Sequence, residues 1–203
     1  MFKALISTSL LVFTSAALAD QPNPNEVWVN AITSGGTGCP AGTMETYLSE
    51  DRQAFTLIFD AYVAEAGLGI PASSSRKFCN INLDLHIPHG WQYTVFKVDY
   101  YGFADIPAGG YGQQKSRYCF AGAASSQGVT LQTTIRGPYT NNYEAHDQLG
   151  ITSLVWSPCG VSRALNIKSE AFVRTSGGRS ALMTVDTIEG EFRQVYAVQW
   201  RRC

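Results

Sequence analysis

A carboxylate and two histidines lie close together in one short stretch of the sequence. Asp84 and His86 are two residues apart in an alternating segment, and His89 follows in a Pro-His-Gly turn. Because side chains two apart on a β-strand point to the same side, Asp84 and His86 share a face. Such a set can bind a divalent metal or transfer protons. The commoner interpretation is a solvated strand face, which Asn80 and Asn82 continue.

A second candidate group follows a Gly-Pro-Tyr-Thr-Asn-Asn turn and reads Tyr-Glu-Ala-His-Asp. It places His146 beside Asp147, and acid–base chemistry needs an imidazole or carboxylate that is tuned by its neighbours. Adjacent residues on a strand point apart, however, so hydrogen bonding of His146 to loop backbone is the commoner interpretation. Together the two groups give these candidate binding residues: Asp84, His86, Tyr139, Tyr143, His146 and Asp147.

Aromatic side chains are frequent, with ten Tyr and four Trp. Exposed rings can stack on sugars or anchor a protein partner, whereas buried rings fill a core. The sequence leaves both interpretations open for the tyrosines near Gly-rich or Asn-rich turns. These are Tyr93, Tyr100, Tyr101, Tyr111, Tyr139 and Tyr143.

Motifs for nucleophilic or metal-dependent catalysis are absent from the sequence. It has no Gly-x-Ser-x-Gly elbow, no His-Glu-x-x-His and no phosphate-binding loop. A carboxylate pair for glycoside cleavage needs a defined separation, and nothing in the sequence brings two acids to it. We therefore expect no catalytic residue, no metal site and no cofactor.

Alternating hydrophobicity predicts strands that position these residues. From Cys79 to Ile87, apolar residues at odd positions alternate with mostly polar residues at even positions, which predicts a strand packed on a core. A second strand runs from Trp91 to Tyr101. Its apolar side changes near Asp99, which predicts a bulge or a crossing between sheets.

The rest of the chain shows the same short alternating segments, separated by Gly, Pro and Asn turns. Nine to eleven such strands predict an all-β fold, a single-domain antiparallel β-sandwich of jelly-roll type. The one segment that could be helical is short, from Tyr62 to Gly67.

The first nineteen residues have the features of a signal peptide. Lys3 precedes an apolar stretch, and Ala17-Leu18-Ala19 is a small-x-small cleavage site. This predicts a secreted domain over residues 20–203, and the apolar stretch is too short to span a membrane. The formal net charge is −1 without a basic run, which argues against nucleic acid as a partner. We expect a monomer.

Five cysteines in a secreted chain predict disulfides and one residue left over. Cys39 and Cys159 lie in turns and Cys203 is the last residue, positions typical of bridges that fix loops and ends. Cys119 reads as strand interior, where a lone cysteine usually acts as a small buried hydrophobic residue. We therefore predict the pairs Cys39–Cys79 and Cys159–Cys203, with Cys119 free.

Several segments together resemble a known family. They read GTGCPAGT, FTLIFDAYVAEAG, SSSRKFCNINLDLHIPHGWQYTVFKVDYYGFA, GPYTNNYEAHD, TSLVWSPCG and QVYAVQWRRC, and they span nearly the whole chain after the leader. They are similar to a family of fungal and bacterial secreted proteins known as domain of unknown function 4360. The resemblance implies a small exported domain without established chemistry or cofactor. The family's cysteines match those of the two predicted pairs, and Cys119 is an extra one.

These observations favour a non-enzymatic, extracellular interaction protein whose partner is a cell-wall glycan or a host protein. It would be a wall-associated or effector-like protein if its source is a fungus. One alternative is a polysaccharide hydrolase or metal-dependent enzyme with Asp84, His86 and His146 lining one cleft. The other alternative is an inhibitor of a secreted hydrolase, with a protruding Gly-rich loop around Cys39.

Overall fold

The computed structural model describes residues 20–123, 128–150, 154–159, 161–185 and 192–203. The predicted signal peptide lies outside these ranges.

Twelve β-strands form within the described residues, more than the nine to eleven predicted. They are β1 (Trp28–Gly35), β2 (Met44–Leu48), β3 (Ala54–Phe59), β4 (Val63–Ala66), β5 (Arg76–His86), β6 (Trp91–Ile106), β7 (Tyr111–Phe120), β8 (Val129–Arg136), β9 (Tyr139–Gln148), β10 (Leu165–Arg174), β11 (Ala181–Thr184) and β12 (Phe192–Arg202). Two short 3-10 helices, Pro24–Glu26 and Ala72–Ser75, accompany them. No helix in the described ranges is long and apolar enough to cross a bilayer.

The strands form two antiparallel sheets, which confirms the predicted all-β sandwich. Sheet A has the strand order β1-β5-β10-β7-β8. Sheet B has the order β2-β3-β12-β6-β11-β4, and β9 pairs with the second half of β6. Asp105 in β6 pairs with Leu182 of β11 and also with Thr140 of β9, so these two strands flank opposite edges of β6.

The core lies between the two sheets and follows the alternation in the sequence. On β5, Cys79, Ile81, Leu83 and Leu85 are at most 2% exposed, while the polar residues between them point outward. On β3 of sheet B, Phe55, Leu57 and Phe59 are buried against this layer. Burial of apolar surface contributes about 25 cal/mol per Å², so these facing rows are a main source of the fold's stability.

The long strand β6 contains the irregularity that its sequence predicts. Its register with β12 shifts between Ala197 and Val198, which pair with Lys97 and Val95. The extra residue turns Val98 and Tyr100 to the same interior as Tyr93, instead of to the opposite side. The prediction of a bulge is therefore confirmed, and the two apolar sides belong to one core.

The segment from Tyr62 to Gly67 is not helical, contrary to the expectation. Val63–Ala66 forms β4 and pairs with β11, and the ring of Tyr62 is fully buried beside Phe59. A pairing partner more than a hundred residues away therefore overrides the weak local preference for helix.

Polar side chains inside the sandwich connect the two sheets. Ser169 Oγ in sheet A accepts hydrogen bonds from Gln114 Nε2 at 3.0 Å and from Gln194 Nε2 of sheet B at 2.9 Å. The hydroxyls of Tyr100 in sheet B and Tyr118 in sheet A are 2.9 Å apart. Burial raises the pKa of both phenols, so these groups remain neutral hydrogen-bonding links.

Both predicted disulfides form, Cys39–Cys79 and Cys159–Cys203. In the chain-entropy model, each loop of about forty residues stabilises the fold by roughly 4 kcal/mol. Cys119 is free, as predicted, but it is not a core residue. It lies on the outward-facing side of β7, where it is half-buried, because the apolar neighbours Tyr118 and Phe120 occupy the inward-facing positions.

Candidate functional site

The structure separates the predicted site residues into two groups on different sheets. Asp84 and His86 are half-buried on the outer face of sheet A, the side turned away from sheet B. His146 and Asp147 lie on β9, which belongs to sheet B. The cleft that would bring Asp84, His86 and His146 together does not form, so the hydrolase alternative lacks the convergence it requires.

Trp28 and His86 form a stacked pair at the start of β1 and the end of β5. The two residues are direct neighbours in the antiparallel register. Their ring centroids are 3.8 Å apart and their planes differ by 12°. Trp28 is 46% exposed although it is a large apolar residue, so the imidazole supports an indole that remains open to solvent.

A chain of hydrogen bonds fixes this indole in place. Trp28 Nε1 donates to Asn30 Oδ1 at 3.0 Å, and Asn30 Nδ2 donates to Asp84 Oδ2 at 3.5 Å. The other oxygen of Asp84 accepts from Ser162 Oγ at 2.8 Å. Because each polar atom restrains the next, the aromatic plane is held in one orientation before any ligand arrives.

We call the stacked pair of Trp28 and His86 the platform. A groove lies on the same outer face of sheet A, further along β5. Its volume is about 430 Å³. Asn82 and Asn166, on neighbouring strands, share a hydrogen bond of 2.7 Å inside it. Each amide carries two donors and one acceptor with two lone pairs, so the pair retains further hydrogen-bonding capacity. The other polar side chains that line the groove are Thr33, Ser34, Asn80 and Lys168.

The outer face of sheet A is also cationic. Six positive side chains share it with two carboxylates, Asp84 and Glu170, which leaves an excess of four positive charges. Arg76 pairs with Glu170 at 2.5 Å. The six cations are Arg76, Lys115, Arg117, Arg136, Lys168 and Arg174.

His146 has a different environment on the outer face of sheet B. Its Nδ1 is 2.5 Å from Asp99 Oδ1, and its Nε2 is 3.5 Å from Glu144 Oε1. Lys97 Nζ lies 2.9 Å from the other oxygen of Asp99. The imidazole is thus bound between carboxylates on an exposed strand face. The loop-backbone bonding expected for it is wrong, because its partners are side chains of β6 and β9.

Asp147 points away from His146, as adjacent strand residues must, so the two form no dyad. Its Oδ1 accepts from Thr133 Oγ1 at 3.3 Å, and its Oδ2 is buried without a hydrogen-bond partner among the described residues. Burial raises the pKa of this carboxyl above its ordinary value, and the hydroxyl groups of Thr133 and Tyr100 oppose that change.

The two candidate tyrosines also differ from one another. Tyr143 is 6% exposed, and its hydroxyl donates to Thr184 O at 2.7 Å inside the fold. Its assignment as a binding residue is therefore wrong, because a large ligand does not reach it. Tyr139 is half-buried, and its hydroxyl donates to Asn142 O at 2.7 Å. Tyr93 and Tyr100 are core residues as well.

The Gly-rich loop around Cys39 does not protrude as the inhibitor alternative requires. Cys39 is fully buried, and Gly38 N donates to Phe78 O at 2.9 Å. A Cβ at Gly38 would lie 2.4 Å from the ring of Tyr62, so the loop is pressed against the body of the protein. A loop packed this closely is not the protruding segment that the inhibitor alternative requires.

Trp28 is the site residue that reasoning from the sequence missed. Val27 and Val29 face inward on either side of it, and this alternation was the available signal that Trp28 points outward. Its stacking on His86 depends on the pairing of β1 with β5, which no local pattern reveals. Among the described residues, no group of three or more His, Cys, Asp or Glu side chains is arranged to hold a metal ion.

A family model described as Domain of unknown function (DUF4360) matches residues 25–203. An uncharacterized secreted protein of Arthroderma benhamiae is 42% identical over 183 residues, which cover 90% of this chain and 74% of that protein. The chain is secreted, as predicted from its leader and its cysteines.

One solved structure matches the chain at low similarity. It is the carbohydrate-binding module TmCBM61 in complex with beta-1,4-galactotriose, with 6% sequence identity and a TM-score of 0.32. The alignment covers 86% of this chain and 90% of that one. At this distance the likeness carries no information on the ligand of this chain.

Proposed function

This chain belongs to the DUF4360 family, and we propose that it is an extracellular glycan-binding protein whose site is the outer face of sheet A. The observation that carries the proposal is the exposed indole of Trp28, supported from behind by His86 at 3.8 Å. A fixed, half-exposed aromatic plane at the edge of a polar sheet face suits a ligand with one apolar and one polar side.

Sugars have this dual character. The C–H face of a pyranose ring packs on an aromatic plane, and the hydroxyl groups at its rim bond to amides and charged groups. Stacking on a rigid ring costs little conformational entropy, because the plane is already oriented by Asn30 and Asp84. Trp28 would therefore provide the stacking surface at one end of the site.

The groove provides hydrogen-bonding groups along the same face. From His86 to Asn80 the strand β5 advances six residues, about 20 Å at about 3.3 Å per residue. Asn80, Asn82 and Asp84 point outward along this distance, and Asn166 and Lys168 join them from β10. The arrangement suits an extended oligosaccharide lying along β5 better than a single sugar ring.

A protein partner fits this face less well. The centre of a protein interface is usually a desolvated cluster of aromatic and aliphatic side chains. On the outer face of sheet A, the exposed hydrophobic residues Trp28 and Phe78 are separated by Asn80, Asn82 and Asp84. Tyr111 and Phe172 form a half-buried ring pair, with centroids 5.8 Å apart, at the other end of this face. The amides between Phe78 and Trp28 favour a hydroxyl-rich ligand.

The direct test is a binding screen against cell-wall polysaccharides with two variants, one at the tryptophan of the proposed site and one at a tyrosine outside it. We expect the purified protein to bind at least one glycan class, and Trp28→Ala to weaken that binding about tenfold or more, as for a central aromatic contact. The matched control is Tyr47→Ala, because Tyr47 is 54% exposed and its hydroxyl donates to Glu45 on the outer face of sheet B, the face turned away from sheet A.

Tyr47→Ala is expected to change the affinity less than twofold. Circular dichroism and thermal melting would verify that both variants fold. Absence of binding to every glycan in the screen would overturn the proposal, and so would an equal loss of affinity in the two variants.

A further inference from the structure

A second concave surface lies at the same end of the sandwich as Trp28. We call it the end cleft. It has a volume of about 920 Å³ and lies between the end of β7 and the segment 154–158, within the size range of small-ligand sites. Its described lining residues include two arginines, Arg163 and Arg201, and no acid. Gln92, Phe120 and Trp156 also line it.

Arg201 is oriented by two neighbours. Its Nε donates to Gln92 Oε1 at 2.8 Å, and its guanidinium carbon lies 4.0 Å from the centroid of the Trp156 ring. Cation–π attraction holds the guanidinium over the ring without using its hydrogen-bond donors. The four N–H groups on the two Nη atoms remain for a ligand.

Arg163 is the second cation of the end cleft. Its Nη1 donates to Ala121 O at 3.0 Å, which fixes the side chain but neutralises no charge. Neither arginine forms an ion pair with a described residue. The segments 124–127, 151–153 and residue 160, which the structure does not describe, are close in sequence to the lining and contain no acidic residue.

Two uncompensated guanidinium groups in one cleft favour an anionic ligand. A guanidinium presents parallel N–H donors in a planar fork that matches both oxygens of a carboxylate. A neutral sugar would leave both positive charges without a partner.

We propose that the end cleft binds the carboxylate of an acidic saccharide, so that the glycan recognised by this protein contains uronic acid units. This inference rests on the proposed glycan-binding function and names its ligand class. The end cleft adjoins the platform, because Arg163 directly follows Ser162, whose Oγ donates to Asp84 beside His86. The cationic outer face of sheet A favours the same class of polymer.

Trigalacturonate is the probe for the end cleft, and its methyl ester is the matched neutral ligand. Isothermal titration calorimetry of the full secreted chain is expected to show binding of the acid at least about tenfold tighter than of the ester. The double variant Arg163→Gln/Arg201→Gln should lose at least about tenfold in affinity for the acid, because each charged hydrogen bond contributes about a factor of ten.

The matched control is Arg202→Gln. Arg202 neighbours Arg201 and also stacks on a tryptophan, Trp91 at 4.2 Å, but it pairs with Asp20 and does not line the end cleft. The affinity of the Arg202→Gln variant for trigalacturonate should stay within twofold of that of the original protein. An equal loss in Arg202→Gln would overturn the proposal, because general surface charge would then explain the binding.

The outcomes separate this inference from the proposed function. Equal binding of the acid and the ester would overturn the inference and leave glycan binding intact, and this comparison needs no variant. Binding of a sulfated oligosaccharide of the same length in preference to trigalacturonate would also overturn it. If Trp28→Ala still binds trigalacturonate while Arg163→Gln/Arg201→Gln does not, the end cleft is confirmed independently of the platform.

Discussion

The outer faces of the two sheets each contain a histidine beside a carboxylate, but the neighbours of the two imidazoles differ. On sheet A, the imidazole of His86 stacks on the indole of Trp28. Asp84 accepts hydrogen bonds from the neutral side chains of Asn30 and Ser162. On sheet B, His146 is bound between Asp99 and Glu144. One imidazole supports a surface that is open to a ligand, whereas the other is engaged within its own face.

The electrostatic character of the two faces differs in the same sense. Cations predominate on the outer face of sheet A. On sheet B, five carboxylates face outward with Lys97 and, at the end of β12, Arg201 among the described side chains. Residue type alone therefore does not mark a site here, and the surroundings decide which face can bind an anionic, hydroxyl-rich polymer. The five carboxylates are Glu45, Glu65, Asp99, Asp105 and Glu144.

Charge reversal should give the largest difference in polygalacturonate affinity between variants of the two faces. Lys115→Glu/Lys168→Glu on sheet A should weaken binding of polygalacturonate at least about tenfold at low salt, because it replaces attraction by repulsion over the groove. The loss should shrink as salt is added and screening increases. Affinity electrophoresis at two ionic strengths would measure both effects.

The matched variant is Glu45→Lys/Glu144→Lys on sheet B, which should leave the affinity unchanged or slightly higher. If the sheet B variant weakened binding as much as the sheet A variant, the assignment of the site to sheet A would be wrong.

Removing each histidine should have a smaller effect on glycan affinity, and the effect should still differ between the two faces. His86→Ala deletes the support of Trp28 but not the indole itself, so we expect an affinity for the bound glycan about threefold to fivefold lower. His146→Ala should leave the affinity unchanged, because its partners belong to sheet B. Titration calorimetry against one glycan provides the comparison. A larger loss of affinity for His146→Ala than for His86→Ala would contradict the assignment of Trp28 and His86 as the stacking surface.

Part of this difference was predictable from the sequence. The alternation around β5 correctly placed Asp84 and His86 on an outward face and Leu83 in the core. The two disulfides followed from leaving Cys119 free as a strand residue, with Cys39 and Cys159 in turns and Cys203 at the last position. Local spacing was enough for the two faces of β5, because they depend on the periodicity of one segment.

Other features depended on pairing between distant segments, and the sequence did not show them. Trp28 meets His86 across 58 residues of chain only through the register of β1 and β5. The inward position of Tyr143 follows from its place opposite Gly102 on β6, where Thr184 accepts its hydroxyl. Similarly, Cys119 faces outward because of the parity of β7, although its neighbours are apolar.

The smallest expected effect concerns stability and the half-buried carboxyl of Asp147. Its pKa is raised in the folded state, so the folded protein holds this proton more tightly than the unfolded chain does. Stability should therefore decrease as pH rises from about 4, the ordinary value of an Asp carboxyl, through the raised folded pKa. Asp147→Asn should raise the melting temperature more at pH 7 than at pH 4.

Asp51 provides a control of opposite sign. Hydrogen bonds from Ser49 Oγ at 2.6 Å and Gln53 N at 3.0 Å lower its pKa, so its contribution is present at neutral pH and lost as pH falls. Asp51→Asn should slightly lower the melting temperature at pH 7. The same pH dependence in both variants would contradict the assignment of the effect to Asp147.

The most direct test of the central claim is to map the bound glycan by NMR. Amide and indole shifts would be recorded while the best ligand from the binding screen is added. We predict the largest changes at Trp28, Asn82 and Asn166, with little change at Glu144 and Tyr47 on sheet B. Changes concentrated at Glu45, Glu144 and His146 on the outer face of sheet B, or absent from the Trp28 indole at saturation, would contradict the account.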